Sequence, residues 1–240
     1  MNKISNIKGI FFDFGGCLDS SGIHSRKIFE YFFYQNDLFL SISKGSFQDA
    51  YTYADQKINN EGLASNVNLL EMNKIMSYHI MDHQKIVATD HDFFTIVKNI
   101  TNFQSNCLQK NLPIIKTLSM DYQLGIISNF SGNLEIILKD FSYHSYFDFI
   151  IDSYHFGHTK PNKKIFQESL LLSKLAANNV LYVGDNPERD IRPAKSLGLN
   201  TAYFFNKKEK SRDEAKTSVI SDHYISDLSE LLVYSKKGSQ

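Results

Sequence analysis

The chain has little of what marks secreted, membrane-spanning or nucleic-acid-binding proteins. Its 240 residues include 2 cysteines, 4 prolines and no tryptophan. Cys17 and Cys107 supply no disulfide framework and fit a reducing compartment. Arginine is scarce, Arg26, Arg189, Arg192 and Arg212 being the only ones, which argues against extended recognition of a phosphate backbone. Lys plus Arg (26) balance Asp plus Glu (26), so no net field draws the chain to a polyanion or a membrane surface. No apolar run approaches the roughly 20 residues a spanning helix needs. Lys3 and Lys8 flank a short polar run instead of the n-region and h-region of a signal peptide. The expectation is a cytoplasmic protein with neither nucleic-acid nor membrane partners, and with no signal for its oligomeric state.

What is present suits a packed globular fold: 42% of residues are apolar and 13% aromatic, too many for a disordered chain. After residue 111 strand and helix signals alternate. Tyr122–Ile127, Phe147–Ile151, Val180–Val183 and Thr201–Phe205 read as strands. Leu134–Phe141, the repeat of Ile165, Phe166, Leu170 and Leu171, the repeat of Ile191, Ala194 and Leu197, and Asp227–Tyr234 read as helices. The lysine-rich segment Asn206–Ser218 reads as a solvated loop or exposed helix. With the first strand at Ile10–Phe12, this alternation implies an α/β fold, a doubly wound parallel sheet covered on both faces.

Between the first strand and the second lie about ninety residues of another character, far more than the dozen or so a simple crossover requires. They are aromatic, free of proline and helical in pattern, with Ile28, Phe29, Phe32 and Phe33, then Leu69, Met72, Ile75 and Met76, at helical spacing. The expected division is a core of residues 1–19 and 112–240 with an inserted helical subdomain of residues 20–111. The aromatic run Phe29–Tyr34 reads as core of that insert, not as a substrate box.

Chemistry concentrates where strands end. The first strand runs into Asp13, and Gly15-Gly16 lets the backbone turn tightly beside it. Ser128-Asn129 ends the second strand, Lys160 precedes a helix, and Asp185 and Asp190 follow Gly184. In a doubly wound sheet these carboxyl ends converge on one crevice. Clustered carboxylates repel unless a divalent cation sits among them, and Asp13, Asp185 and Asp190 suit Mg²⁺, which prefers oxygen ligands. Ser128 and Lys160 are left to hold an anion such as phosphate.

In this order of motifs the chain resembles the haloacid dehalogenase-like (HAD) hydrolase superfamily, and the insert resembles that superfamily's helical cap placed after the first motif. The resemblance implies a Rossmann-like core and a phosphatase-type site for a small phosphorylated metabolite. Asp13 is then the nucleophile that forms an aspartyl-phosphate. Mg²⁺ is held by Asp13, the Gly15 carbonyl and Asp185. Ser128 and Asn129 bind phosphoryl oxygens, Lys160 offsets charge on nucleophile and phosphate, and Asp190 orients Asp185 or the metal's waters.

One departure matters. Phosphatases of the superfamily carry a second aspartate, the proton donor, two positions after the nucleophile, and here that position is Gly15. Such a group is worth about 10²–10⁴-fold in rate. Three outcomes follow: hydrolysis of phosphates with good leaving groups, 2-haloacid dehalogenase-like chemistry, or a site that binds phosphoryl ligands without efficient turnover. Dehalogenases of the superfamily grip a carboxylate with a cap arginine. Arg26 is the only arginine in the insert and lies close to the first motif. Cys17 replaces the usual threonine or valine and reads as a small packing group. His155 and His158 read as solvated loop side chains, and His79, His83 and His91 in the insert, whose spacing does not single out a zinc site, read as ordinary side chains too.

Overall fold

The computed structural model describes residues 6–234. Lys3 and the outermost residues at both ends of the expected core segments lie outside that range.

Strand β1 (Gly9–Phe12) is fully buried, as expected where helices cover both faces of a parallel sheet and the strand reads as one continuous apolar run. It pairs in parallel with β2 (Gln123–Ser128) on one side and with β4 (Val180–Gly184) on the other. β3 (Phe149–Asp152), β5 (Asn200–Phe204) and β6 (His223–Ile225) complete a parallel sheet of order β3-β2-β1-β4-β5-β6 among the described residues. The chain therefore runs outward from β1 in one direction and then returns to its other side. That reversal lies at the carboxyl ends of β1 and β4, where open sheets form a crevice.

Alternation along β1 divides the core between the two faces of the sheet. Ile10 and Phe12 join Leu124, Ile126, Leu181 and Val183 in one cluster, while Phe11 joins Ile127, Tyr182, Ile165 and Phe166 in the other. Between β1 and β2 stand α1 (Ser25–Phe33), α2 (Lys44–Glu61), α3 (Leu69–Gln84) and α4 (Asp90–Leu118). These helices enclose a separate apolar cluster around Phe29, Phe33, Phe39, Phe47, Met76 and Ile80. The Phe33 ring meets Phe39 at 4.7 Å and Phe47 at 5.3 Å between centroids, both edge-on. Phe29 and Phe33 of the aromatic run are thus core, with Phe32 and Tyr34 packed against them and Tyr31 exposed, and Phe29 also reaches the crevice wall.

Helix α4 is continuous across residue 111, where the sequence placed the end of the insert. Its Ile96 and Ile100 pack into the helical cluster, and its Leu108, Ile115 and Leu118 into the sheet cluster. Beyond β2 come α5 (Leu134–Asp140), α6 (Ser153–Phe156), α7 (Lys163–Ser173), α8 (Arg192–Ser196) and α9 (Arg212–Ser218). β6 had no sequence signal: three residues are too few to show a period of two, and only pairing with β5 makes them a strand. No helix among the described residues is long and apolar enough to cross a membrane.

Candidate active site

Asp13 ends β1, and its own N–H is held by the Val183 carbonyl of β4 at 2.9 Å. It opens a wide turn, Phe14–Leu18, that Asp19 closes by returning its N–H to the Phe14 carbonyl at 3.3 Å. Within this turn Gly16 adopts φ +85°, a left-handed conformation that glycine reaches without steric cost.

Three donors converge on one oxygen of the Asp13 carboxylate. Phe14 N–H reaches Oδ1 at 2.7 Å, Ser128 Oγ at 3.0 Å and Lys160 Nζ at 2.8 Å. No hydrogen bond to Oδ2 occurs among the described residues. One oxygen is therefore anchored and the other keeps its lone pairs, the arrangement a carboxylate nucleophile or metal ligand needs.

Lys160 is buried and also bonds Asp190 Oδ1 at 2.7 Å, so one ammonium bridges two carboxylates. Asp190 is fully buried and accepts further bonds from Tyr182 Oη at 3.0 Å and Asn186 N–H at 3.0 Å. Ligand oxygens of Asp13, Asp185 and Asp190 all lie within 4.8 Å of one another. Burial pushes the Asp13 carboxyl up to about 6, with Lys160 opposing and Asp190 adding to the rise. Asp185 is pushed well above the usual carboxylate range by burial, then by the charges of Asp190 and Asp13. For Lys160 burial acts downward, but Asp13 and Asp190 together outweigh it and hold the ammonium charged. Three carboxylates around one lysine leave negative charge uncompensated, and an all-oxygen donor set of this kind fits a hard divalent cation.

The structure brings Asp13, Ser128, Lys160, Asp185 and Asp190 together and gives Asn129 and Asp190 specific partners. The Asn129 side chain faces the Lys160 backbone: its Oδ1 accepts the Lys160 N–H at 2.7 Å and its Nδ2 donates to the Lys160 carbonyl at 3.0 Å. Its amide thus positions the lysine and uses one of its two Nδ2 hydrogens to do so, while Asn129 also lines the cavity. Asp190, for its part, holds Lys160 directly.

Asp13, Ser128, Asn129, Lys160 and Asp185 line a cavity of about 650 Å³ between the sheet and helices α1–α4, with Asp190 buried behind Lys160. The far wall comes from the insert and includes Arg26, Tyr51 and Asp55, so Arg26 does reach the crevice, although Glu30 holds it at 3.2 Å. Residues unrecognised in the sequence also stand here. Tyr182 points from β4 onto Lys160 at 3.1 Å; it sat inside a strand signal with nothing to single it out. Asp19 is 1% exposed, accepts from Gly16 N–H and from Gln104 Nε2 of α4, both at 2.9 Å, and is pushed by burial up to about 7. His24 at the start of α1 lines the same space and is pushed down to about 4, chiefly by burial.

The remaining candidates sit elsewhere. His79 is buried on α3, and His155 touches the Gly132 carbonyl at 2.8 Å. The only group of metal-ligand geometry among the described residues is the aspartate cluster. Cys17 is buried among apolar side chains, as a packing residue would be.

The family model described as haloacid dehalogenase-like hydrolase matches residues 36–204. The chain belongs to that family. It is an enzyme of the hydrolase class. A glyceraldehyde 3-phosphate phosphatase of Methanocaldococcus jannaschii is 28% identical over 237 residues, covering 94% of this chain and 96% of that protein. The haloacid dehalogenase-like hydrolase domain-containing protein 3 of Bos taurus is 32% identical over 110 residues, and the match spans only 43% of that protein and 46% of this chain. The crystal structure of the HAD-hydrolase YfnB from Bacillus subtilis, bound to magnesium, has the same fold, with a TM-score of 0.59 at 16% identity over 97% of this chain and all of that one.

Proposed function

We propose that the chain is a Mg²⁺-dependent phosphatase that transfers the phosphoryl group of a small phosphorylated metabolite to Asp13 and then to water. The observation that carries this reading is the asymmetric anchoring of Asp13, with donors from Phe14, Ser128 and Lys160 on Oδ1 and none on Oδ2. The Methanocaldococcus jannaschii relative, similar over nearly its full length, is a glyceraldehyde 3-phosphate phosphatase, which supports the reaction class.

In this reading Asp13, Asp185 and the Gly15 carbonyl hold Mg²⁺, with Asp190 behind them. The cation supplies positive charge against the carboxylates and the substrate's phosphoryl oxygens. Ser128 and Lys160 bind the phosphoryl group, and Lys160 keeps Asp13 from repelling the dianion it attacks. Asn129 and Asp190 fix Lys160 from its backbone and its ammonium respectively. Residues 20–111 form a cap that encloses the reacting group and excludes bulk water.

The dehalogenase alternative draws on Gly15 and on Arg26 at the cavity wall. Two further carboxylates beside the nucleophile favour phosphoryl transfer, because a cation offsets them and a haloacid needs none. Release of phosphate from p-nitrophenyl phosphate tests the choice. Turnover that requires Mg²⁺ and disappears in Asp13→Asn is the expected result. Halide release from a 2-haloacid without metal would reverse it.

A further inference from the structure

Asp19 is a buried carboxyl for which the reaction above has no use, although it lines the same cavity as Asp13 and Lys160. We propose that Asp19 is the proton donor and acceptor of this site, acting from the far end of the first turn in place of the aspartate missing at position 15. The proposal rests on the phosphatase reading of Asp13.

The turn itself makes the placement. Asp13 and Asp19 are its two ends, and Gly16 lies between them with contacts to both sides of the site. The Gly16 N–H donates to Asp19 Oδ1 at 2.9 Å, while a Cβ on the same residue would fall 2.4 Å from Asp185 Oδ2. The Asp19 carboxyl is therefore folded back onto the peptide that borders the aspartate cluster. Gly15 brings no competing side chain to this space, and a Cβ there would meet only Ser25 Oγ, at 3.2 Å, a side-chain atom that would have to give by a few tenths of an ångström.

The partners of Asp19 differ in kind from those of the other site carboxylates. Asp13 and Asp190 share the Lys160 ammonium. Asp19 has two neutral donors, Gly16 N–H and Gln104 Nε2, and no ion pair among the described residues. These use two of about four lone-pair positions on a carboxyl group, which leaves room for a proton. Gln104 belongs to α4, the helix shared by cap and core, so this carboxyl is oriented by the element that joins the two.

The proton balance closes in two steps. In the first, an Asp13 oxygen bonds to phosphorus, the bond from phosphorus to the leaving oxygen breaks, and protonated Asp19 gives its proton to that oxygen. In the second, Asp19 carboxylate takes a proton from water, whose oxygen bonds to phosphorus as the Asp13–phosphorus linkage breaks. Phosphate leaves, Asp13 is again a carboxylate and Asp19 is again protonated.

Two aryl phosphates of similar shape and different leaving-group acidity, p-nitrophenyl phosphate and phenyl phosphate, separate this role from a structural one. In Asp19→Asn, turnover of phenyl phosphate should fall by about 10²–10⁴-fold, the usual contribution of a general acid. The first-turnover burst of p-nitrophenolate should persist, because that leaving group needs no proton, and acid quenching should trap accumulated phosphoenzyme. Gly15→Asp combined with Asp19→Asn should regain phenyl phosphate turnover. Equal losses in the first-turnover rate on both esters, or no loss, would overturn the proposal. Should Asp19→Asn lose its cooperative thermal transition, Gln104→Met takes its place, with a smaller selective loss in the first-turnover rate on phenyl phosphate expected and equal first-turnover losses again decisive against it. A wild-type protein that releases phosphate from neither ester would instead sink the phosphatase reading itself, and this inference with it.

Discussion

Gly16 lies against Asp185 so closely that a Cβ on it would sit 2.4 Å from Oδ2 and 2.5 Å from Cγ of that carboxyl. The first turn and the carboxyl end of β4 are thus packed through a hydrogen atom, and the aspartate cluster depends on that fit.

Replacing Gly16 by alanine should therefore act twice. The left-handed backbone at φ +85° disfavours a Cβ by about 1–2 kcal/mol, and the methyl group would push Asp185 out of the cluster. Gly16→Ala is expected to lower the thermal midpoint and to abolish Mg²⁺-dependent phosphate release. Retention of both would show that Asp185 has slack.

Lys160 is the single ammonium bridging Asp13 and Asp190, at 2.8 and 2.7 Å. Lys160→Met leaves two buried carboxylates without it, a change that typically costs about 3–5 kcal/mol in buried pairs. Removing a preorganised positive group from the reacting centre also costs about 10²–10³-fold in rate. Urea unfolding and steady-state phosphate release measure the two effects separately. A variant as stable as the parent would mean that proton uptake by Asp13 or Asp190 compensates fully.

A divalent cation among Asp13, Asp185 and Asp190 should stabilise the folded chain independently of catalysis. At a hundredfold excess over its dissociation constant the expected gain is about 2.7 kcal/mol. The thermal midpoint should climb saturably with Mg²⁺ after treatment with a chelator, and Asp185→Asn should flatten that response. Identical curves for parent and variant would place the cation elsewhere.

Asp19 sets a pH dependence of stability in the metal-free protein. Its carboxyl is raised from 3.8 to about 7 in the fold, so the native state retains a proton that the unfolded chain has released. Its contribution is complete below about pH 4 and is lost as pH rises to about 7. Each pKa unit corresponds to about 1.4 kcal/mol, so the loss amounts to at most about 4 kcal/mol. Denaturation midpoints in chelator at pH 5 and pH 8 should differ more in the parent than in Asp19→Asn. An equal difference in both would assign the effect to other groups, Asp185 among them.

Much of this molecule was legible in the chain. Periodicity marked the strands other than β6, because a strand buried on both faces needs an unbroken apolar run. The position of Asp13, Ser128 and Asp185 at strand ends, and of Lys160 on a loop before a helix, pointed to a common crevice, because a parallel sheet aims those ends in one direction. That helices stand between β1 and β2 was visible as length and aromatic content that no simple crossover requires.

Pairings between residues distant in sequence were invisible, since each depends on where other segments come to rest. Nothing near Asn129 announces that its amide grips the backbone of Lys160, and Tyr182 became a partner of Asp190 only once β4 lay beside the loop carrying that aspartate. Asp19 read as the tail of a motif until folding brought Gln104, 85 residues on, against it and removed both from water. The amino-acid order determined which elements form and which ends bear reactive groups, because those are local consequences of spacing and chirality. Tertiary packing alone decided which carboxylates share a lysine, which stand apart from it and how deeply each is buried, because electrostatics and burial depend on distances that the linear chain does not contain.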